Sequence, residues 1–182
     1  MDIVKQIDQH TNRLIDGLLS SSAEQRKSLT IAILGFYFQL PNFEAVLYQY
    51  IQMRIKKKQL IADIKNGNVQ NYRQAIEKSI ANVDVYADSY EEPKPIALFI
   101  LDAFAGATSD MKFSTNLVKL FVGIIDTLDY CENFSERPAY WNKLLEEEVE
   151  FQNEVLRQVK IGSSFNSLIY QQRYAGVAFQ EV

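Results

Sequence analysis

Two acidic side chains stand where acids are unusual, and a third sits in an acidic run. Asp102 sits in Ile96-Ala97-Leu98-Phe99-Ile100-Leu101-Asp102-Ala103-Phe104, a segment apolar on every face. A carboxylate placed among such neighbours must be hydrogen-bonded, paired or protonated, because burying a bare charge is very costly. Asp126, in Ile124-Ile125-Asp126-Thr127-Leu128, repeats the pattern more weakly. Glu148 lies four residues before Gln152, so on a helix the two share a face and could together hold a polar partner. Asp102, Asp126, Glu148 and Gln152 are therefore the candidate lining of a polar cavity between helices, suited to acid/base work or to ligand binding. The plainer alternatives are a structural Asp102 bonded to a neighbouring element, and a solvated acidic face with Trp141, Leu145 and Val149 turned inward.

Other chemistries find less support. His10 is the only histidine and Cys131 the only cysteine. Di-metal bundles place Glu-x-x-His pairs on their helices, and His10 has no second ligand at matching spacing. His10 reads instead as a residue at the border of the first helix. No metal or other cofactor is expected. One cysteine cannot form an internal disulfide, which suits a reducing compartment. Phosphate-binding loops, dinucleotide fingerprints, nucleophile elbows and zinc-protease motifs are absent from the sequence. Arg54, Lys56, Lys57 and Lys58 form a short basic cluster without interleaved aromatics, read as a solvated turn of helix.

Charge narrows the choice of partner. The 182 residues carry a formal net charge of −4, which argues against phosphate-backbone binding and hence against nucleic acid. Residues 1–90 hold 11 basic and 9 acidic side chains, whereas residues 91–182 hold 8 and 14. Glu146, Glu147 and Glu150 concentrate that excess into a candidate acidic interaction face able to steer a basic partner. Leu29 to Leu40, the longest apolar stretch, falls well short of the roughly 20 residues a membrane span needs. With no secretory leader pattern after Met1, the expected location is cytoplasmic.

The elements that must position these residues read as helices. Apolar residues recur at three- and four-residue spacing through most of the chain, and all four prolines fall where that spacing breaks. Ile3, Val4, Ile7, Leu14 and Leu18 mark a first helix. Ser21 with Glu24 offers a capping box for a second, apolar nearly all round from Leu29 to Leu40. A third begins at Phe43 and is able to continue to Asn66-Gly67; shorter ones follow over Val69–Ile80 and Ile96–Ala107. A sixth runs from Phe113 to Leu128, and a seventh from Trp141 to Val159. The expected fold is an all-α bundle of about seven helices in one domain, 1–182. Residues 163–182 form a partly ordered tail docked by aromatics such as Tyr170, Tyr174 and Phe179.

Three features in order carry a family resemblance: Phe38-Gln39-Leu40-Pro41-Asn42-Phe43 after the apolar second helix, Asp88-Ser89-Tyr90 leading through prolines to Asp102-Ala103, and Glu148-Val149-Glu150-Phe151-Gln152 on a late helix. Over roughly residues 5–165 the chain resembles the YjaG-like family of small bacterial proteins, also called domain of unknown function family 416. The resemblance implies an all-helical bacterial protein with no established activity, and it assigns no catalytic residue. Large apolar side chains on nearly every helix point first to a non-catalytic protein that binds another protein or itself, as a regulatory or immunity-type protein would. A small-ligand receptor or enzyme using the carboxylate-lined cavity is the alternative.

Overall fold

The computed structural model describes residues 3–84, 86–88, 90–110 and 114–179, without the side chains of residues 3–6. Of the residues named above, Met1, Ser89, Phe113 and the tail residues 180–182 lie outside what is described, as do the side chains of Ile3 and Val4. The architecture is all helical. Nine helices occur among the described residues: α1 (Ile3–Leu19), α2 (Ala23–Tyr37), α3 (Phe43–Ile51), α4 (Lys57–Asn66), α5 (Gln70–Asn82), α6 (Pro95–Thr108), α7 (Thr115–Phe134), α8 (Pro138–Lys160) and α9 (Ile169–Arg173). None is long and apolar enough to cross a membrane.

α2 is the central helix because it has no polar side from Leu29 to Tyr37; every residue in that run is buried. It meets α7 and α6 on one side, α4 at another point and α9 along its second half. Only a glycine permits the last of these approaches. A Cβ on Gly35 would stand 2.8 Å from the backbone nitrogen of Gln171. α6, α7 and α8 form a consecutive layer, and α1 crosses α7 and α8.

The capping box in front of α2 sits one residue later than the sequence suggests. Ser22 and Gln25 exchange the two reciprocal bonds, at 3.1 and 3.0 Å, rather than Ser21 and Glu24. Both pairs have the right spacing. The tie is broken by Ser21, which is buried and turns its hydroxyl back to the Leu18 carbonyl at the end of α1.

The third helix does not continue to Gly67, and burial explains why. At about 100° per residue, Phe43, Leu47, Ile51 and Ile55 follow one slowly turning stripe, whereas Leu60 and Ile64 of an unbroken helix would stand about 180° from Ile51 and Ile55. All six are buried. The chain achieves this by placing Gln52 in the left-handed region (φ 58°) as the cap of α3 and restarting at Lys57. The basic cluster therefore spans a link and the first turn of α4 rather than one solvated helical turn. Lys57 Nζ donates to the Phe38 carbonyl at 2.7 Å and lies over the Phe38 and Phe43 rings.

Candidate functional site

The candidate cavity residues divide into two groups. Glu148 and Gln152 belong to a seam of α8 whose buried residues are Trp141, Leu145, Glu148, Gln152, Val155 and Val159. Those steps alternate four and three, the spacing of a buried helical stripe. Glu148 and Gln152 occupy its middle, and Val149 is only partly buried. The solvated-face alternative thus fails for Glu148, which is 0% exposed.

Four donors converge on that carboxylate. Gln152 Nε2 (2.9 Å) and the Tyr170 hydroxyl (2.8 Å) donate to Oε1, and the Tyr174 hydroxyl (2.8 Å) and Arg173 Nε (3.1 Å) donate to Oε2. A carboxylate offers about four acceptor sites, so all of them are engaged. Burial pushes the Glu148 carboxyl up from its ordinary value, while these hydrogen bonds and the Arg173 charge pull it back. Tyr170 and Tyr174, one turn apart on and just after α9, stack with parallel rings 6.4 Å apart. Arg173 lies over the Phe151 ring at 4.7 Å.

The network also determines a proton position. Gln152 Nε2 gives its second hydrogen to the Phe121 carbonyl at 3.1 Å, so its Oε1 can only accept. His10 Nε2, 2.8 Å from that oxygen, must therefore carry the hydrogen. His10 Nδ1 is left bare, buried and without a partner. His10 is thus a core residue and not a helix-border one; burial lowers its pKa. The assembly ties α1, α7 and α8 to the C-terminal segment, and the acceptors of Glu148 are consumed within it. His10, Tyr170, Arg173 and Tyr174 were not legible as site residues. The signal available was two phenols four apart beside an arginine, in a segment otherwise read only as aromatic packing.

Asp102 and Asp126 lie elsewhere. Both line a cavity of about 600 Å³ between α6 and α7, with Thr11 of α1 and Tyr37 of α2 at its inner wall. Lys119 and Asn116 of α7 and Phe99 of α6 complete its polar and aromatic lining. Glu148 and Gln152 do not line it. Although Asp102 stands in an apolar segment, it is exposed: the core face of α6 is Ala97, Ile100, Ala103, Phe104 and Ala107, and Asp102 points off that face. Asp102, Asp126 and Lys119 make no hydrogen bond or ion pair among the described residues. Partial burial raises both carboxyls; Lys119 opposes this at Asp102, and Asp129 adds to it at Asp126.

Tyr37 separates the cavity from the buried network. Its hydroxyl donates to the Leu120 carbonyl at 2.7 Å, and it can reach there only because Gly123 has no side chain. A Cβ on Gly123 would stand 2.5 Å from that oxygen. Burial first, then the charges of Asp126, Glu148 and Asp102, hold the Tyr37 phenol well above its ordinary pKa.

Glu146, Glu147 and Glu150 are all exposed along the outside of α8. Glu147 meets Lys143 at 3.7 Å in a surface ion pair worth at most about 1 kcal/mol. Glu146 faces Glu132 of α7, whose carboxyl is pushed up by burial and by the charges of Asp129 and Glu146. Cys131 is buried in α7, and burial pushes its thiol up to about 12, the reverse of an activated nucleophile. No group of three or more His, Cys, Asp or Glu able to hold a metal ion occurs among the described residues. Compared with known proteins, the chain matches no family model, no curated protein and no solved structure.

Proposed function

We propose that this is a non-catalytic, small-ligand-binding protein whose site is the α6–α7 cavity. One observation carries the reading: Asp102, Asp126 and Lys119, three charged side chains with no hydrogen bond or ion pair among the described residues, line a single concavity of about 600 Å³. That size falls within the roughly 300–1,000 Å³ of small-molecule sites. Apolar walls with a few convergent polar groups are also what such sites have in common. The buried network of Glu148 supports the same division of labour, since its acceptors are consumed in holding the C-terminal segment.

The test is a thermal-shift screen of amino acids, short peptides, amines, carboxylic acids and nucleosides, run in parallel on wild type and on D102N/D126N. A ligand at a hundredfold its Kd adds about 2.7 kcal/mol of stability. For a chain of this length that raises Tm by about 5–10 °C. Shifts in wild type that vanish in the variant are expected. Uniform silence across the screen, or shifts unaffected by D102N/D126N, would remove the cavity from consideration.

A second reading rests on the acidic strip formed by Glu146, Glu147 and Glu150 with Glu132 and Asp129 beside them. It supports capture of a basic protein partner, as a regulatory or immunity-type protein would achieve. A pull-down with wild type and with the charge-reversed E146K/E147K/E150K chain tests it. A partner lost only on reversal supports the strip; a partner retained by both counts against it. Self-association is read directly from mass by light scattering.

A further inference from the structure

The order of charges along the cavity says more about its occupant. α6 and α7 are antiparallel, and two contacts establish how they align. Phe99 meets Tyr130 edge-on at 6.0 Å near one end. At the other end, a Cβ on Gly106 would lie 3.4 Å from Leu120 and 3.7 Å from the Asn116 carbonyl. Asn116 and Lys119 therefore mark one end of the cavity and Asp126 the other, with Asp102 facing them from the middle of α6. Seven residues of α7 separate Lys119 from Asp126, about 10 Å of helix rise.

The two ends differ in sign. The like charge of Asp129 reinforces Asp126, whereas Lys119 acts against Asp102. Phe99, which meets Tyr130 at the Asp126 end, lines the cavity there, and an aromatic ring beside a carboxylate suits a cation. Between the ends the wall is Val122 and Gly123 of α7 and Ala103 of α6. The complement of such a lining is a molecule with an ammonium at one end, an anionic group at the other and an apolar middle.

Resting on the ligand-binding reading above, we infer that the cavity takes a linear zwitterion of tripeptide length, its ammonium on Asp126 and its carboxylate on Lys119. Three extended residues span about 10 Å, which matches the separation of the two ends. Both termini are recognised by charge, and the middle residue is held by Val122 and Ala103 with little demand on its identity.

The experiment is calorimetric titration of alanyl-leucyl-alanine in four forms: free, N-acetylated, C-amidated and doubly blocked. Each is titrated into wild type, D126N and K119M. All substituted side chains are exposed, and circular dichroism with Tm confirms that each variant folds. The free peptide is expected to bind wild type. N-acetylation and D126N should each weaken it at least tenfold, and the acetylated peptide should lose nothing further in D126N. C-amidation and K119M should behave as the matching pair at the other end. Equal binding of all four forms, or losses that multiply when block and variant are combined, overturns the assignment of the ends. If no peptide binds while other compounds in the thermal-shift screen do, the ligand class is wrong and the cavity reading stands. Silence in both experiments sinks the two together.

Discussion

Replacing Glu148 by leucine should expose how the C-terminal segment is held. The substitution removes the acceptor of four donors, two of them the fully buried hydroxyls of Tyr170 and Tyr174. A buried donor left without a partner costs about 1–3 kcal/mol, and breaking one side of a buried ion pair about 3–5 kcal/mol. Arg173 keeps some exposure, so its charge can turn partly to water. The expected loss is therefore about 3–5 kcal/mol, out of a total stability of about 5–15 kcal/mol. In urea this moves the midpoint by about 1.5–2.5 M at a slope near 2 kcal/mol/M. Trp141, the only tryptophan, is buried and packs on Phe179 of the C-terminal segment at 5.4 Å, so its fluorescence reports release of that segment directly. In E148L the fluorescence transition should precede the loss of helical dichroism. Adding Y170F and Y174F to E148L should then recover stability, about 1–3 kcal/mol for each orphaned hydroxyl removed. A loss under 1 kcal/mol in E148L, or further destabilisation by the added phenylalanines, refutes the reasoning.

Three further outcomes follow from the geometry. His10 has a folded-state pKa below its unfolded value near 6.5, so the unfolded chain binds the proton more readily. Its contribution is complete above that value and is lost as pH falls through the window beneath it. Urea titrations from pH 7.5 to 5 should show a slope that flattens in H10F; an unchanged slope assigns it elsewhere. Gly123→Ala should destabilise the wild type, because the new methyl displaces the Tyr37 hydroxyl from the Leu120 carbonyl, yet stabilise Y37F by up to about 1 kcal/mol through helix propensity. Equal effects in the two backgrounds would contradict the close approach. Cys131, buried with its thiol raised to about 12, should react with a disulfide reagent only as fast as the protein opens, tested by comparing labelling with unfolding rates; prompt labelling in native buffer would be inconsistent with its placement.

Much of the helical layout is local and was therefore readable along the chain. The largely apolar run of Leu29–Leu40 implies a central helix, and Pro95 at the start of α6 and Gly67 at the end of α4 act where their backbone preferences require. The docking of Tyr170, Tyr174 and Phe179 was likewise legible from their size and spacing. The break at Gln52 was legible in principle as well, since Leu60 and Ile64 are out of phase with Ile51 and Ile55. It becomes compulsory only when both pairs must reach the same core.

Pairing of the polar residues was not legible. Asp102 and Asp126, carboxylates among apolar neighbours, face a cavity without a hydrogen bond or ion pair among the described residues, whereas Glu148, in an acidic run, is saturated by four donors. Periodicity decides which side of a helix a residue occupies. What faces that side depends on how helices 22 to 142 residues apart in the chain are packed, as His10 on Gln152 and Tyr170 on Glu148 show. Only tertiary structure brings those groups within hydrogen-bonding distance, and burial there converts an ordinary glutamate into the anchor of the C-terminal segment.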